Sequence, residues 1–171
     1  MPSAPTHDFV TLVTAAAAVP AMLYSTLPDV SPTNTSVLVG SYLISGLLFS
    51  PDLDTHSRPY MRWRWLRFLW LPYQRLVPHR SRISHSLIMG PIIRALYFAV
   101  MLLLLGLAVY ATVNLLVPFD PTGTLLQFAR DAALWMQTHP WTVFYALAGF
   151  IFGGITHVLL DTVFSWVKRL F

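Results

Sequence analysis

Six residues of this chain have side chains that could bind a divalent metal ion, and they come from four separate stretches of sequence. All are histidines or aspartates, and the chain contains no cysteine, so any protein ligand must be nitrogen or oxygen. The predicted metal ligands are His7, Asp52, Asp54, His85, His157 and Asp161. Every acidic residue of the chain is an aspartate, and we predict that Asp52 and Asp54 supply the catalytic carboxylates.

His157 and Asp161 have the most informative spacing among these candidates. On an α-helix, residues four apart lie on one face with Cβ atoms about 5–6 Å apart, so the imidazole and the carboxylate could share one cation. Gly149 and Gly153 extend the same face and would let a neighbouring helix approach closely. The alternative is that His157 and Asp161 only hydrogen bond each other, as a polar pair inside a helix bundle.

The other predicted ligands also have simpler explanations. His7 could be a surface histidine at a helix start, and Asp52 and Asp54 could cap a helix or pair with nearby arginines. In an extended segment, however, alternate side chains point the same way, so both carboxylates would face one ion. His85, just before the third apolar segment, is the loop histidine that best suits a ligand. We favour a shared site, because candidate ligands from separate segments reach the same level of the bundle, and one site explains this better than chance.

Three further histidines are predicted not to be ligands. His56 and His79 lie in a basic loop and could support the site only indirectly. His139 is expected on the opposite side of the molecule.

The segments that must position these residues are strongly apolar. Hydrophobic residues make up 56% of the chain, charged residues only 11%, and the mean hydropathy is +0.60, outside the range of ordinary soluble domains. We therefore predict one all-α domain, a polytopic membrane bundle of about four transmembrane helices with an interfacial cytoplasmic helix. The predicted helices cover residues 9–27, 37–49, 87–118 and 141–167. The second is short for a bilayer, which needs about 20 apolar residues.

The distribution of arginine and lysine predicts the orientation of this bundle. Eight of the eleven basic residues lie between Arg58 and Arg94, and cytoplasmic loops retain positive charge during insertion. Both termini and the basic loop over residues 51–86 are therefore expected in the cytoplasm, which brings all the candidate ligands to the cytoplasmic side. The amphipathic stretch over residues 124–137 is expected along the outer membrane surface.

Arginines and tryptophans alternate closely in residues 62–73. Such a pattern could contact nucleic acid. It fits an interfacial helix better, because tryptophan favours the headgroup region and arginine attracts anionic lipid. We therefore predict the lipid bilayer and its anionic headgroups as partners of this stretch, and no nucleic acid.

Several motifs of the chain resemble a known family nearly end to end. They lie at residues 7–8, 50–57, 62–67, 71–75, 79–86 and 157–161. At these positions the chain resembles a bacterial, mainly cyanobacterial, membrane family described as uncharacterised metal-binding proteins. The resemblance implies a multi-pass protein of the bacterial inner membrane, plasma or thylakoid, with a metal ion as its cofactor.

The chain is more distantly similar to LexA-regulated inner-membrane proteins that are described as metal-dependent hydrolases. Their His-Arg-Gly-x-Thr-His-Ser pattern would match residues 79–86, with Ser81 in place of glycine and Ser84 in place of threonine. Their terminal His-x-x-x-Asp pattern would match His157 and Asp161. This similarity supports a metal site more directly than it supports a reaction.

The predicted function is that of a membrane-embedded, metal-dependent hydrolase with a His/Asp site facing the cytoplasm. Zinc is the first choice of ion, with manganese, iron or magnesium as alternatives, and the ion would activate water for attack on an ester or phosphoester, including a lipid-linked one. An aspartate would act as the base. The alternative is a non-catalytic scaffold whose ion joins the helices inside a closed shell of protein ligands. A transporter is disfavoured, because the outer halves of the helices are apolar.

Overall fold

The computed structural model describes residues 3–78, 81, 86–116 and 120–170. Within these residues every regular element is helical, and no strand occurs. The α-helices are α1 (Ala4–Leu23), α2 (Pro32–Leu48), α3 (Arg58–Arg62), α4 (Leu71–Leu76), α5 (Met89–Leu116), α6 (Thr122–Thr138) and α7 (Pro140–Leu170). Two 3-10 helices, Pro51–Asp54 and Arg64–Trp70, flank α3 in the sequence.

Four helical stretches are long and apolar enough to cross a membrane: α1, α2 together with the 3-10 helix that follows it, α5 and α7. Their most apolar windows have mean hydropathies between 1.3 and 2.5, and α5 is the most apolar. The predicted all-α fold with four apolar helices is therefore confirmed. The boundaries differ mainly at the first two helices: α1 covers Ala4–Leu23 rather than residues 9–27, and α2 begins at Pro32 rather than at residue 37.

The earlier start of α2 has a local cause. The hydroxyl of Ser31 accepts a hydrogen bond from the backbone N–H of Asn34 at 3.1 Å, and Pro32 occupies the first turn. A serine cap and a proline at the first position both favour helix initiation, so the polar residues that follow join the helix. Together with the 3-10 helix after it, the second span covers Pro32–Asp54, or 23 residues. This length suffices for a bilayer, unlike the apolar stretch over residues 37–49 alone.

α2 and α7 share the most extensive helix–helix contact in the described structure. A Cβ atom on Gly149 would overlap the carbonyl oxygen of Leu38, and a Cβ atom on Gly153 would overlap that of Tyr42. Only glycine leaves room for another helix backbone at this distance. The predicted glycine face of α7 is therefore a contact surface, and its partner is α2.

Two further glycines bring α1 and α5 against this pair. A Cβ atom on Gly46 of α2 would lie 2.7 Å from Cγ2 of Thr11 in α1, and one on Gly154 of α7 would lie 2.5 Å from Cγ of Pro91 in α5. Both distances are well below the roughly 3.5–4.0 Å of a normal carbon–carbon contact. The four long helices therefore meet through close contacts at small side chains.

The basic segment after α2 folds into short helices around an aromatic cluster. The buried members of this cluster are Phe49, Leu53, Tyr60, Trp70 and Tyr73. Trp70 is fully buried and stacks on Phe98 of α5, with ring centroids 5.6 Å apart and an angle of 5° between the planes. Because aromatic rings bury large apolar areas, this cluster attaches the segment to the end of α2 and the beginning of α5.

Residues 62–73, predicted as one interfacial helix, belong to three short helices instead. Arg64 is the first residue of the second 3-10 helix and has a φ of 49°, in the left-handed region. This backbone conformation prevents α3 from continuing into the 3-10 helix as one regular helix. The tryptophans on either side consequently face opposite ways. Trp63 donates its Nε1 hydrogen to the carbonyl oxygen of Leu48 at 3.0 Å, whereas Trp65 is 75% exposed.

α6 covers the stretch that was predicted to be amphipathic, residues 124–137. None of its side chains is buried in the protein. α5 begins beside the aromatic cluster and its 28 residues rise by about 42 Å, so α6 follows at the opposite end of the bundle.

Candidate metal centre

His157 lies on the inner face of α7, one turn after Gly153, and is almost completely buried. The close contact between Gly153 and α2 encloses this part of α7. Nε2 of His157 lies 3.5 Å from Oδ2 of Asp52 and 3.7 Å from Oδ2 of Asp161. Two carboxylates therefore face one imidazole nitrogen.

His7 reaches the same point from the beginning of α1 and is also buried. Its Nε2 atom lies 3.2 Å from Oδ1 of Asp161, so this carboxylate contacts both imidazoles. The rings of His7 and His157 stack with centroids 3.9 Å apart and an angle of 14° between their planes. A nitrogen lone pair lies in the plane of its ring, so these near-parallel rings must tilt to bind the same ion.

The distances within this group resemble those between ligand atoms around a metal. His7, His157 and Asp161 each offer one ligand atom, and these atoms lie within 4.8 Å of one another. With bonds of about 2.0–2.1 Å, tetrahedral zinc separates neighbouring ligand atoms by about 3.3 Å.

The same group contains buried polar atoms that need a partner. Nδ1 of His7, Nε2 of His157 and Oδ2 of Asp161 have no hydrogen-bond partner among the described residues. Burying polar atoms without a partner is costly, and a cation between the imidazoles and the carboxylate would remove part of this cost. The donor set and its spacing therefore fit a divalent ion.

Asp52 lies at the edge of this group, and its side chain is 25% exposed. It belongs to the 3-10 helix Pro51–Asp54, so the prediction of an extended segment at this position is wrong. Pro51 starts the 3-10 helix, and Leu53 is fully buried in the aromatic cluster, which holds the chain in a turn. With about three residues per turn, Asp52 and Asp54 cannot point the same way.

Asp54 has surroundings different from those of Asp52. It is buried, and its charge acts on Tyr73 and Arg94. Asp52 instead faces His157. The catalytic and ligand roles assigned to the two aspartates from sequence stay predictions.

Arg94 is a buried charged residue that was not among the predicted site residues. It is fully buried and is the only charged residue of α5. Its Nη2 atom lies 3.6 Å from the position that a Cβ atom would take on Gly154 of α7. A buried guanidinium requires negative charge nearby to compensate it. The charges of Asp54 and Asp52 both stabilise the charged form of Arg94. One feature of the sequence could have identified Arg94: it is a single charge in a long apolar helix, where ionisable residues are usually paired or functional.

Tyr73 lies beside Arg94, outside the four long helices. Burial raises the pKa of the Tyr73 hydroxyl, the charge of Arg94 offsets part of this rise, and the charge of Asp54 adds to it. The backbone N–H of Tyr73 donates to the hydroxyl of Tyr97 at 3.2 Å, and that hydroxyl donates to the carbonyl oxygen of Leu69 at 2.5 Å. These bonds hold α4 against α5 and keep the protonated phenol next to the guanidinium.

Asp8 holds the beginning of α1, and with it His7, against the rest of the protein. Its Oδ2 atom accepts hydrogen bonds from Nη2 of Arg62 at 2.5 Å and from Nη1 of Arg58 at 3.2 Å. Arg62 also donates to the carbonyl oxygen of Leu47 at 2.9 Å. Sequence spacing does not show this role, because the two arginines follow Asp8 by 50 and 54 residues.

A family model described as "Uncharacterized metal-binding protein (DUF2227)" matches residues 2–171 of the chain. The chain belongs to this family. The match confirms the resemblance to metal-binding proteins, and the matched range includes the buried group of His7, His157 and Asp161. An uncharacterized protein of Aquifex aeolicus (strain VF5) is 30% identical over 140 residues, which cover 75% of this chain and 89% of that protein. No solved structure gives a significant match.

In this member of the metal-binding family, the described structure brings most of the predicted ligands together. Four of them meet at one end of the bundle: His7, Asp52, His157 and Asp161. Asp54 is buried, and its charge acts on the guanidinium of Arg94. His85, the remaining predicted ligand, lies outside the described residues, as does His79.

The other two histidines that were not expected to be ligands are both exposed. The ring of His56 lies 4.9 Å from that of Tyr60. His139 follows α6 and stacks on Trp135 with ring centroids 4.8 Å apart. Neither belongs to the buried group.

Proposed function

We propose that this protein is an integral membrane hydrolase that uses a divalent metal ion held by His7, His157 and Asp161. One observation carries the proposal. Three buried side chains from α1 and α7 place ligand atoms within 4.8 Å of one another, and each side chain has a buried atom without a hydrogen-bond partner in the described part of the chain. Membership of a metal-binding family supports the ion independently.

The proposed membrane location is supported by the four long apolar helices. Only 6% of the most apolar window of α5 is buried within the protein, and a lipid environment would remove the cost of exposing this surface to water. The arginines near the site support a cytoplasmic location for both termini and for residues 51–86. The membrane would be the bacterial inner membrane, plasma or thylakoid.

Zinc is the ion that we propose first. Two imidazole nitrogens and one carboxylate oxygen suit zinc, and catalytic zinc sites combine three protein ligands with an open position. Manganese, iron and magnesium are the alternatives if further carboxylate oxygens, such as those of Asp52, complete the site. A bound ion would polarise the bond to be hydrolysed and make a coordinated water more acidic.

The protein's own residues would supply proton transfer and access. Asp52 is more exposed than Asp161 and lies 3.5 Å from Nε2 of His157, so it is placed to accept a proton from an attacking water. A hollow of about 310 Å³ lies beside Asp161, and Arg169 contributes to its lining. A cation at this position would attract a negatively charged substrate. These features support a phosphoester, free or lipid-linked, over a neutral ester.

A structural metal site is the second candidate function. His7 and His157 bring the first and last long helices together, and an ion between them would stabilise the bundle without catalysing a reaction. Such a site would be closed by protein ligands. The partial exposure of Asp52 and the hollow beside Asp161 favour an open site, and therefore the hydrolase.

The test is to measure metal content and turnover on the same preparations of detergent-solubilised protein. We expect wild type to contain a divalent ion and to hydrolyse at least one member of a panel of phosphoesters and acyl esters. His157→Ala and Asp161→Ala should each weaken metal binding by roughly tenfold or more, because each removes a ligand. Asp52→Asn should keep the fold and lower turnover by about 10²–10⁴-fold. His139→Ala is the matched control and should change neither quantity.

Two outcomes would overturn this proposal in different ways. Wild type that contains no divalent metal and gains no thermal stability from zinc or manganese would contradict the metal site. Metal-loaded wild type that hydrolyses nothing in the panel, together with loss of metal from Asp52→Asn, would favour the structural site.

A further inference from the structure

Two adjoining hollows lie on the surface of the segment between α2 and α5. The larger has a volume of about 800 Å³, and the residues that line it include His56, Arg64, Trp65, Arg67, Phe68 and Leu71. The smaller, of about 410 Å³, shares Phe68 and Leu71 with the first and adds Arg75 and Leu76. Together, these two hollows form the arginine cleft.

The arginines of this cleft differ from their neighbours in their ion pairing. Arg58 and Arg62 pair with Asp8. Arg64, Arg67 and Arg75 have no acidic partner in the part of the chain that the structure describes, and Nη1 of Arg67 donates a hydrogen bond to the sulfur of Met61 at 3.5 Å. The cleft therefore presents positive charge that the described residues do not neutralise.

The same surface is unusually apolar for a cationic one. Trp65, Phe68, Leu71 and Leu76 are all exposed, and Phe68 and Leu71 form the wall between the two hollows. Large exposed apolar side chains among cations suit the boundary between lipid headgroups and acyl chains. In the membrane location proposed above, the cleft would lie at this boundary, because its segment follows the end of α2 and packs against the beginning of α5 through the aromatic cluster.

The backbone at Arg64 produces this arrangement. A φ of 49° is uncommon for a residue other than glycine and persists only where the surroundings enforce it. Trp63, just before it, is anchored to the carbonyl oxygen of Leu48. Trp65, just after it, is directed outward into the cleft. The left-handed residue thus separates an inward-facing aromatic side chain from an outward-facing one.

We propose that the arginine cleft binds the headgroup of an anionic phospholipid. Arg64 and Arg67 contact its phosphate, and the acyl chains follow Phe68 and Leu71 toward the membrane interior. Arginine suits this role because its planar guanidinium can donate two hydrogen bonds to a phosphate. The inference rests on the membrane location proposed above, but neither on the metal ion nor on hydrolysis.

The test uses the full chain in neutral detergent and native mass spectrometry. The probes are phosphatidylglycerol, phosphatidylcholine with the same acyl chains, inorganic phosphate and a short single-stranded oligonucleotide. We expect wild type to prefer phosphatidylglycerol over phosphatidylcholine by roughly tenfold or more, and Arg64→Gln/Arg67→Gln to lose most of this preference. The control, Arg130→Gln/Lys168→Gln, removes two exposed cations elsewhere and should retain the preference.

Further measurements keep the test decisive. Arg75→Gln should lose part of the preference and replaces the double variant if that variant does not fold. The cleft proposal fails if wild type binds both lipids equally, if the control loses as much preference as the double variant, or if phosphate or the oligonucleotide binds as tightly as phosphatidylglycerol. Metal content is measured on every sample. If wild type prefers phosphatidylglycerol but holds no metal, the hydrolase proposal is contradicted, whereas the proposal of lipid binding in the arginine cleft is supported.

Discussion

At the scale of single residues, the charges around His157 explain why a divalent ion fits this site. Its Nε2 atom faces the carboxylates of Asp52 and Asp161, which repel each other unless positive charge lies between them. A proton on one imidazole would supply one positive charge, whereas a divalent ion supplies two.

The neighbouring group of Arg94, Asp54 and Tyr73 leads to the first prediction at this scale. Arg94→Met should destabilise the protein by about 3–5 kcal/mol, because it leaves the charge of Asp54 buried and poorly compensated. The double variant Arg94→Met/Asp54→Asn should recover most of this loss, since neither buried charge remains. Thermal unfolding in detergent, with metal content measured in parallel, provides the comparison.

Arg130→Met is the matched control for this prediction, because Arg130 is an exposed arginine of α6. It should leave the unfolding temperature nearly unchanged. The result for the single variant Asp54→Asn decides the role of this carboxylate. If Asp54→Asn alone removes the metal and leaves stability intact, this carboxylate serves the ion rather than the arginine.

At the scale of the elements, α7 sets the geometry of the site because it carries both the glycine contacts and two of the candidate ligands. Gly153 brings α7 against the backbone of α2, and His157 follows one turn later. Asp52 follows the end of α2. The separation of the two helices therefore determines how closely Asp52 approaches His157.

This dependence predicts the effect of adding one methyl group to α7. In Gly153→Ala, the new Cβ atom would lie 2.8 Å from Cβ of Ser45 and 2.9 Å from the backbone nitrogen of Gly46. Forcing the helices apart should cost about 1–3 kcal/mol and should weaken metal binding. Thermal unfolding and a zinc titration measure the two effects.

Gly106→Ala in α5 is the matched control, because its Cβ atom would have nothing within 4 Å. It should change stability by less than about 1 kcal/mol and leave zinc binding unchanged. Equal results for the two alanine variants would show that the α2–α7 contact tolerates a side chain, which would contradict the proposed link between helix spacing and the site.

At the scale of the whole molecule, the candidate metal site brings together the first and the last long helices. α1 begins, α2 ends and α7 ends at the same side of the bundle, because His7, Asp52 and Asp161 meet there. Arginines are concentrated at this side, around α3 and α4. A four-span protein with this arrangement would place both termini and the site in the cytoplasm.

Cysteine labelling in intact cells tests this orientation, since the natural chain has no cysteine. Leu76→Cys, exposed at the end of α4, should be protected from a membrane-impermeant maleimide. Gly123→Cys, at the beginning of α6 with open space around its Cβ position, should react. After detergent permeabilisation both should react, which controls for local accessibility. Labelling of Leu76→Cys in intact cells would reverse the proposed orientation and place the site outside the cytoplasm.

The sequence by itself determined the helical architecture and much of the candidate site. Long apolar runs predicted the four helices, because hydropathy is a property of each segment and needs no knowledge of its neighbours. The i, i+4 spacing put His157 and Asp161 on one helix face for the same local reason. Alternating helices then brought His7 to the same end, and the structure agrees.

The tertiary structure decided which way each side chain near the site faces. The turn at Pro51–Asp54 separates Asp52 from Asp54 because Leu53 is buried in an aromatic cluster whose members lie far apart in sequence. Arg94 is likewise buried where Gly154 of α7 leaves room for Pro91, which lies about one turn before Arg94 in α5. Local pattern predicts such features poorly, because burial and charge compensation arise from contacts between distant segments, and these exist only once the helices have packed.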